Sequence, residues 1–198
     1  HATTGSLTGI TDAVGRTLSI ELNGNGNITK IYDSMSTIAT YEYIPSTNRL
    51  SSVVYHDDSR HDVEYTATPV NGRYLLKKVR DALGNVLETH EYNSNGRATT
   101  SEVANGVEKY TFDYTNPAMT VVTDAAGVIT KFYFNAGSGR NVVSKVEGVC
   151  GCGGSGNEST QYFYDDRLNL VKKTDALNRE TVCTYDSDRN VTAVTDFL

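Results

Sequence analysis

Three groups of residues in this 198-residue chain are of the types that do chemistry. The first is Cys150-Gly151-Cys152-Gly153-Gly154, with Cys183 some thirty residues further on. Three thiolates can hold zinc or copper, yet structural zinc sites favour a C-x2-C spacing and a fourth ligand. A disulfide between Cys183 and either Cys150 or Cys152 leaves one free thiol and suits an oxidising compartment. Reduced cysteines in a flexible turn are the plainest reading, and all three stand open at this point. The second group, His56-Asp57-Asp58-Ser59-Arg60-His61, combines imidazoles and carboxylates, which serve as metal ligands or proton carriers. It falls where a polar hairpin turn is expected, so a solvated charged turn is the better reading. The third is a set of acidic residues at turn starts: Asp12, Asp81, Asp124, Asp175 and Asp196. Calcium loops place several oxygen ligands within about a dozen residues. Each copy here offers one Asp and then, in most copies, Ala, which suits capping of a turn. The glycine-rich insert lacks the Gly-Lys-Ser/Thr ending of a phosphate loop, and no local signature supports a Cys-His nucleophile pair. No catalytic residue, cofactor or resident metal is expected; Cys150, Cys152 and Cys183 are the only weak metal candidates.

The elements that must carry these residues are legible from alternation. In Lys109-Tyr110-Thr111-Phe112-Asp113-Tyr114, one face takes Tyr110, Phe112 and Tyr114 and the other takes Lys109, Thr111 and Asp113. Side chains on a strand change face at every residue, so this is a half-buried strand. Thr181-Val182-Cys183-Thr184-Tyr185 reads the same way, with Cys183 and Tyr185 on one face. No helical stripe is sustained for three turns. The connections, such as Asn23-Gly24-Asn25-Gly26-Asn27 and Asn93-Ser94-Asn95-Gly96-Arg97, are rich in residues that accept positive φ or cap a turn with their own side chain.

The strands repeat. With Leu22, Tyr43, Tyr65, Tyr92, Tyr114, Phe134, Tyr164 and Tyr185 as markers, the gaps are 21, 22, 27, 22, 20, 30 and 21 residues. The long gaps hold Thr68-Pro69-Val70-Asn71-Gly72 and the insert Cys150 to Gly156, and insertions in an array lengthen turns while leaving strands alone. The expected fold is all-β: one array of antiparallel hairpins over residues 1–198, forming one long curved or spiralling sheet. It comprises about eight units, degenerate over 1–77 and clearer over 78–198, with a Gly/Cys-rich insert at 148–158. Each unit buries its aromatics on its neighbours, so the markers are expected to form the core.

Composition narrows the function classes. A net charge of −6 with no Lys/Arg run longer than Lys77-Lys78 or Lys172-Lys173 disfavours nucleic acid. No stretch approaches the roughly 20 apolar residues of a membrane helix, and no signal segment opens the chain. The start at His1, without an initiator Met, suggests a processed protein or a fragment. Thirteen Tyr supply flat apolar area with polar tips, a composition that also fits a Tyr-rich face for glycan or protein binding.

Two stretches carry a family resemblance. Tyr164-Asp165-Asp166-Arg167-Leu168-Asn169-Leu170-Val171-Lys172-Lys173-Thr174-Asp175-Ala176 and Tyr185-Asp186-Ser187-Asp188-Arg189-Asn190-Val191-Thr192-Ala193-Val194-Thr195-Asp196 resemble the YD-repeat, or Rhs repeat. The resemblance spans almost the whole chain and is strongest from about Lys78 onward. Leu22 stands where the repeat has an aromatic, and Ile44 and Thr66 where it has an acidic residue. The family implies a spiralling β-sheet shell in a large secreted or cell-surface protein. In bacterial polymorphic toxins and insecticidal toxin complexes that shell encloses a toxic domain; in teneurin-type proteins it is an adhesion scaffold. The expected partners are neighbouring repeats of a parent protein and an enclosed toxin domain or a surface partner. Open sheet edges permit oligomerisation. The Asp-Pro-x-Gly-Leu motif that ends such shells is absent from these residues.

Overall fold

The computed structural model describes residues 5–103, 106–137, 139–148 and 158–197. They form two compact units divided between Val107 and Glu108. The first contains β1 (Gly9–Thr11), β2 (Thr17–Leu22), β3 (Ile28–Tyr32), β4 (Thr37–Ile44), β5 (Arg49–Tyr55), β6 (Arg60–Tyr65), β7 (Leu76–Asp81), β8 (Val86–Tyr92) and β9 (Ala98–Val103). The second contains β10 (Glu108–Asp113), β11 (Met119–Thr123), β12 (Ile129–Gly137), β13 (Arg140–Gly148), β14 (Glu158–Tyr164), β15 (Leu170–Thr174), β16 (Glu180–Tyr185) and β17 (Val191–Phe197). Within each unit every strand pairs antiparallel with the next in sequence. The fold is the all-β hairpin array that the alternation predicts, because a period of two can bury one face only when the chain is extended.

The repeat markers sit at one fixed place in this meander. Leu22, Tyr43, Tyr65, Tyr92, Phe134, Tyr164 and Tyr185 lie at or near the ends of β2, β4, β6, β8, β12, β14 and β16. The pairing register shifts by one residue just before every one of them. Seven of the eight units therefore build a β-bulge, with one extra residue on the following strand: Thr29, Ser51, Lys77, Thr99, Ser144, Val171 and Thr192 in turn. The remaining marker, Tyr114, lies just past the end of β10, outside the paired register.

Among the described residues only Ala39, Val53 and Ser52 are buried, Ser52 completely. All eight marker side chains are half-buried. The markers, expected to form the core by burial on neighbouring units, are half-covered instead, and Tyr43, Tyr65, Tyr92 and Tyr185 reach across the strands of a sheet layer. Neither unit, by itself, has a described helix or second sheet to cover a face.

The insertion at residues 68–72 does what was expected of it. It extends the β6–β7 hairpin beyond the sheet, where Thr66 N–H bonds Leu75 O at 2.8 Å and Val70 and Arg73 exchange bonds of 2.7 and 3.0 Å. The insert around Cys150 and Cys152 lies outside the described residues; β13 ends at Gly148 and β14 begins at Glu158.

Candidate functional site

Four of the five acidic turn starts that the sequence offers for chemistry are used by the structure to hold the backbone. Asp12, Asp81, Asp124 and Asp175 open hairpin loops at one kind of strand end; Asn23, Asn93, Asp165 and Asp186 open loops at the other. All eight loops share one bond set. The N–H of the Asp or Asn donates to the carbonyl four residues on, and the N–H three residues on donates back to its carbonyl, at 2.8–3.2 Å. Its Oδ1 accepts the backbone N–H groups two and four residues on, as with Leu83 and Asn85 on Asp81 at 2.9 and 2.8 Å. This is a type I turn closed by a left-handed residue. Gly fills the left-handed position in five loops, with φ from 74° at Gly96 to 87° at Gly15. Leu168, Asn178 and Arg189 fill it in the other three, at 64°, 61° and 69°.

These bonds hold several of the loop carboxyls ionised. Asp12 is lowered from its ordinary value first by the Arg16 side chain, Asp175 by the Arg179 backbone N–H, and Asp186 by the Asn190 carboxamide. A carboxylate whose lone pairs are taken by its own loop is poorly placed to serve as a general base or a calcium ligand. Asp196 departs from the set. It lies in β17 and accepts from Thr181 Oγ1 at 2.6 Å.

A second recurrent element was not foreseen. Tyr43 Oη donates to Ile28 O at 2.7 Å, Tyr65 to Leu50 O at 2.9 Å, Tyr92 to Leu76 O at 2.6 Å and Tyr185 to Leu170 O at 2.9 Å. Each acceptor is the residue paired with the preceding marker: Ile28 with Leu22, Leu50 with Tyr43, Leu76 with Tyr65, and Leu170 with Tyr164. A bulge interrupts the ladder and leaves backbone groups in need of partners. The hydroxyl of one repeat supplies a donor at the bulge of the repeat before it. The recurring aromatic marker, 21, 22, 27 and 21 residues after the one before it in these four cases, was the sequence signal for this stitch, but only the register reveals which carbonyl is bonded.

Residues 56–59 are, as read, the β5–β6 turn, while Arg60 and His61 already belong to β6. Asp57 Oδ1 accepts from Ser59 N–H and Oγ, His56 is exposed, and His61 packs edge-on to Tyr55. Ser52, the most buried hydroxyl, donates to Glu42 Oε2 at 2.6 Å, and Arg60 adds a bond of 3.1 Å. His61 pairs with Val53, on the opposite face from Ser52. The hydroxyl thus has a carboxylate acceptor and no imidazole base on its face. Cys183 is half-buried on β16 and free among the described residues, and Cys150 and Cys152 lie outside them. No group of three His, Cys, Asp or Glu suited to a metal is found among the described residues. No described helix is long and apolar enough to cross a membrane.

Residues 164–198 match the family model described as RHS Repeat. Over 98% of its length the chain is similar, at 15% identity and a TM-score of 0.49, to a chain in the crystal structure of TcdB2-TccC3 without its hypervariable C-terminal region. A structure of the Photorhabdus luminescens Tc holotoxin pore matches 98% of the chain at 16% identity and a TM-score of 0.43. The chain spans 10% of the length of each of these two. A porin-like protein from Bacteroides uniformis matches 96% of the chain at 12% identity and a TM-score of 0.39, with 90% of that protein covered. No curated protein matches the chain.

Proposed function

We propose that this chain, whose residues 164–198 form an RHS repeat, is a structural wall segment of a larger secreted or cell-surface bacterial Rhs/YD-repeat protein. It works as shell or scaffold, encloses a toxin domain of the parent protein, and has no catalysis of its own. The observation that carries this reading is the use of its polar residues. Eight Asp/Asn loops, among the fifteen hairpins within the two units, and the hydroxyls of four of the eight markers are spent on the chain's own backbone. Such an array gives length and stiffness from nearest-neighbour contacts. Its expected partners are adjacent repeats, reached through strand edges such as β17, where Val191, Val194 and Phe197 are exposed.

The rival role, an adhesion or glycan-binding module with a Tyr-rich face, needs free phenol tips. The four stitched hydroxyls are already committed to carbonyls, which favours the wall.

Protease protection in the parent protein tests the proposal. The enclosed domain should resist digestion while the repeats are intact and become cleavable when Tyr185→Ala loosens the wall. Equal digestion with and without the substitution, in a protein whose repeats have measurably loosened, would refute enclosure. A Tyr185→Ala protein of unchanged stability would refute the structural role of the stitch.

A further inference from the structure

We propose that Asn71 is a site of spontaneous deamidation, selected by the fold among the Asn-Gly pairs of the described residues. The reaction needs no enzyme. The Gly72 backbone nitrogen, after losing its proton to solvent, forms a bond to Cγ of Asn71, and Nδ2 leaves as ammonia. Water then opens the resulting succinimide at one carbonyl or the other, giving aspartate or isoaspartate.

Asn-Gly occurs at Asn23, Asn25, Asn71, Asn95 and Asn105, of which Asn105 lies outside the described residues. Glycine, lacking a side chain, leaves its nitrogen open to attack in all of them, so sequence alone ranks them together. The structure separates them. The nitrogens after Asn25 and Asn95 are held: Gly26 N–H donates to Asn23 O and Gly96 N–H to Asn93 O, both at 2.9 Å. Asn23 is held by its side chain, since Oδ1 accepts from Asn25 and Asn27 N–H at 3.0 Å each and fixes Cγ within the loop. Asn71 has neither restraint. It tips the inserted hairpin with φ of 50°, followed by Gly72 at 74°, the two positive values of a type I′ turn. In that turn the bonds run between Val70 and Arg73 on either side, so Gly72 N–H and the Asn71 carboxamide both face solvent. A Cβ on Gly72 would meet nothing within 4 Å.

The change would not be silent. It puts a negative charge beside Arg73, and the isoaspartyl form adds a methylene to the backbone of a two-residue turn. Val70, on the same hairpin, lies near the neighbouring loop, its Cγ1 3.7 Å from where a Cβ on Gly96 would stand.

The test is aging of the folded chain in mildly alkaline buffer, followed by tryptic digestion and mass spectrometry. The peptides 61–73, 17–30 and 81–97 report Asn71, Asn23 with Asn25, and Asn95, with fragmentation assigning each position. Asn71 is expected to convert at least about fivefold faster than Asn23, Asn25 or Asn95, the factor that one net backbone hydrogen bond represents. In urea-unfolded chain the rates should converge to within about twofold, because the local sequences are alike. Gly72→Ala should slow the Asn71 reaction, and because the folded and unfolded wild-type rates are compared directly, the test does not depend on that variant folding. A folded chain in which Asn25 or Asn95 converts as fast as Asn71 overturns the proposal, as does an Asn71 preference that persists unchanged in urea.

Discussion

Tyr92→Phe removes one oxygen and leaves the ring, so it isolates the stitch from packing. The lost bond runs 2.6 Å to Leu76 O, the carbonyl opposite the preceding marker Tyr65. A net intramolecular hydrogen bond contributes about 1 kcal/mol, and stranding a shaded carbonyl raises the loss toward about 1.5 kcal/mol. The ring itself is half-buried, so Tyr92→Ala should cost more, about 2–3 kcal/mol in total. Tyr43, Tyr65 and Tyr92 stand at least two strands apart, roughly 10 Å at ordinary strand spacing. Their Phe substitutions should therefore add, reaching about 3–4 kcal/mol for the triple variant. Tyr55→Phe is the control, since Tyr55 is 38% exposed and meets His61 with its ring edge-on. It should stay within about 0.5 kcal/mol of wild type. Urea unfolding of each variant, followed by circular dichroism, gives the differences at constant slope. If Tyr43→Phe, Tyr65→Phe and Tyr92→Phe all match Tyr55→Phe, the hydroxyls do not hold the bulges and the reasoning fails.

The left-handed loop position gives a pair of opposite substitutions. Arg189→Gly should stabilise by about 0.5 kcal/mol, because the strain of an L residue at φ of 69° exceeds the entropy glycine loses. Gly84→Ala at φ of 83° should destabilise by about 1 kcal/mol even though the space around it is open, and thermal melts that reverse either sign would refute the loop assignment. Acid should loosen the array. The folded pKa values of Asp12, Asp81, Asp165, Asp175 and Asp186 are lowered. Their contribution is therefore complete above the unfolded value near 4 and is lost as pH falls through the folded values. A melting temperature flat from pH 6 to about pH 2 would contradict this. Asp186→Asn should keep the fold, since Asn23 and Asn93 make the same loop, and should reduce the acid sensitivity. The exposed β17 edge should make the chain associate as concentration rises, and Val194→Lys should suppress this in sedimentation analysis, since edge lysines block strand pairing.

The sequence by itself determined the strands, the turns and the period. Alternation in Lys109 to Tyr114 and in Thr181 to Tyr185 is a property of neighbours along the chain. So is a loop such as Asp81 to Asn85, whose bonds close within five residues. For the same reason the acidic turn starts could be read as caps, with Asp196 the exception because its partner, Thr181, is on the neighbouring strand. The Cys-Gly-Cys segment remains a sequence observation. What only the tertiary structure decided are relations across strands. One is the one-residue register shift before seven of the markers. The other is the hydroxyl bond from Tyr43, Tyr65, Tyr92 or Tyr185 to the bulge of the repeat before, which joins residues 15 or 16 apart. Periodicity shows that an aromatic recurs there, but not whether it fills a core or lies across a sheet with its oxygen in use. That depends on how many layers the chain builds, and each unit builds one. A single layer leaves rings half-covered and bulge carbonyls in need of donors, and a tyrosine meets both conditions where a phenylalanine meets one.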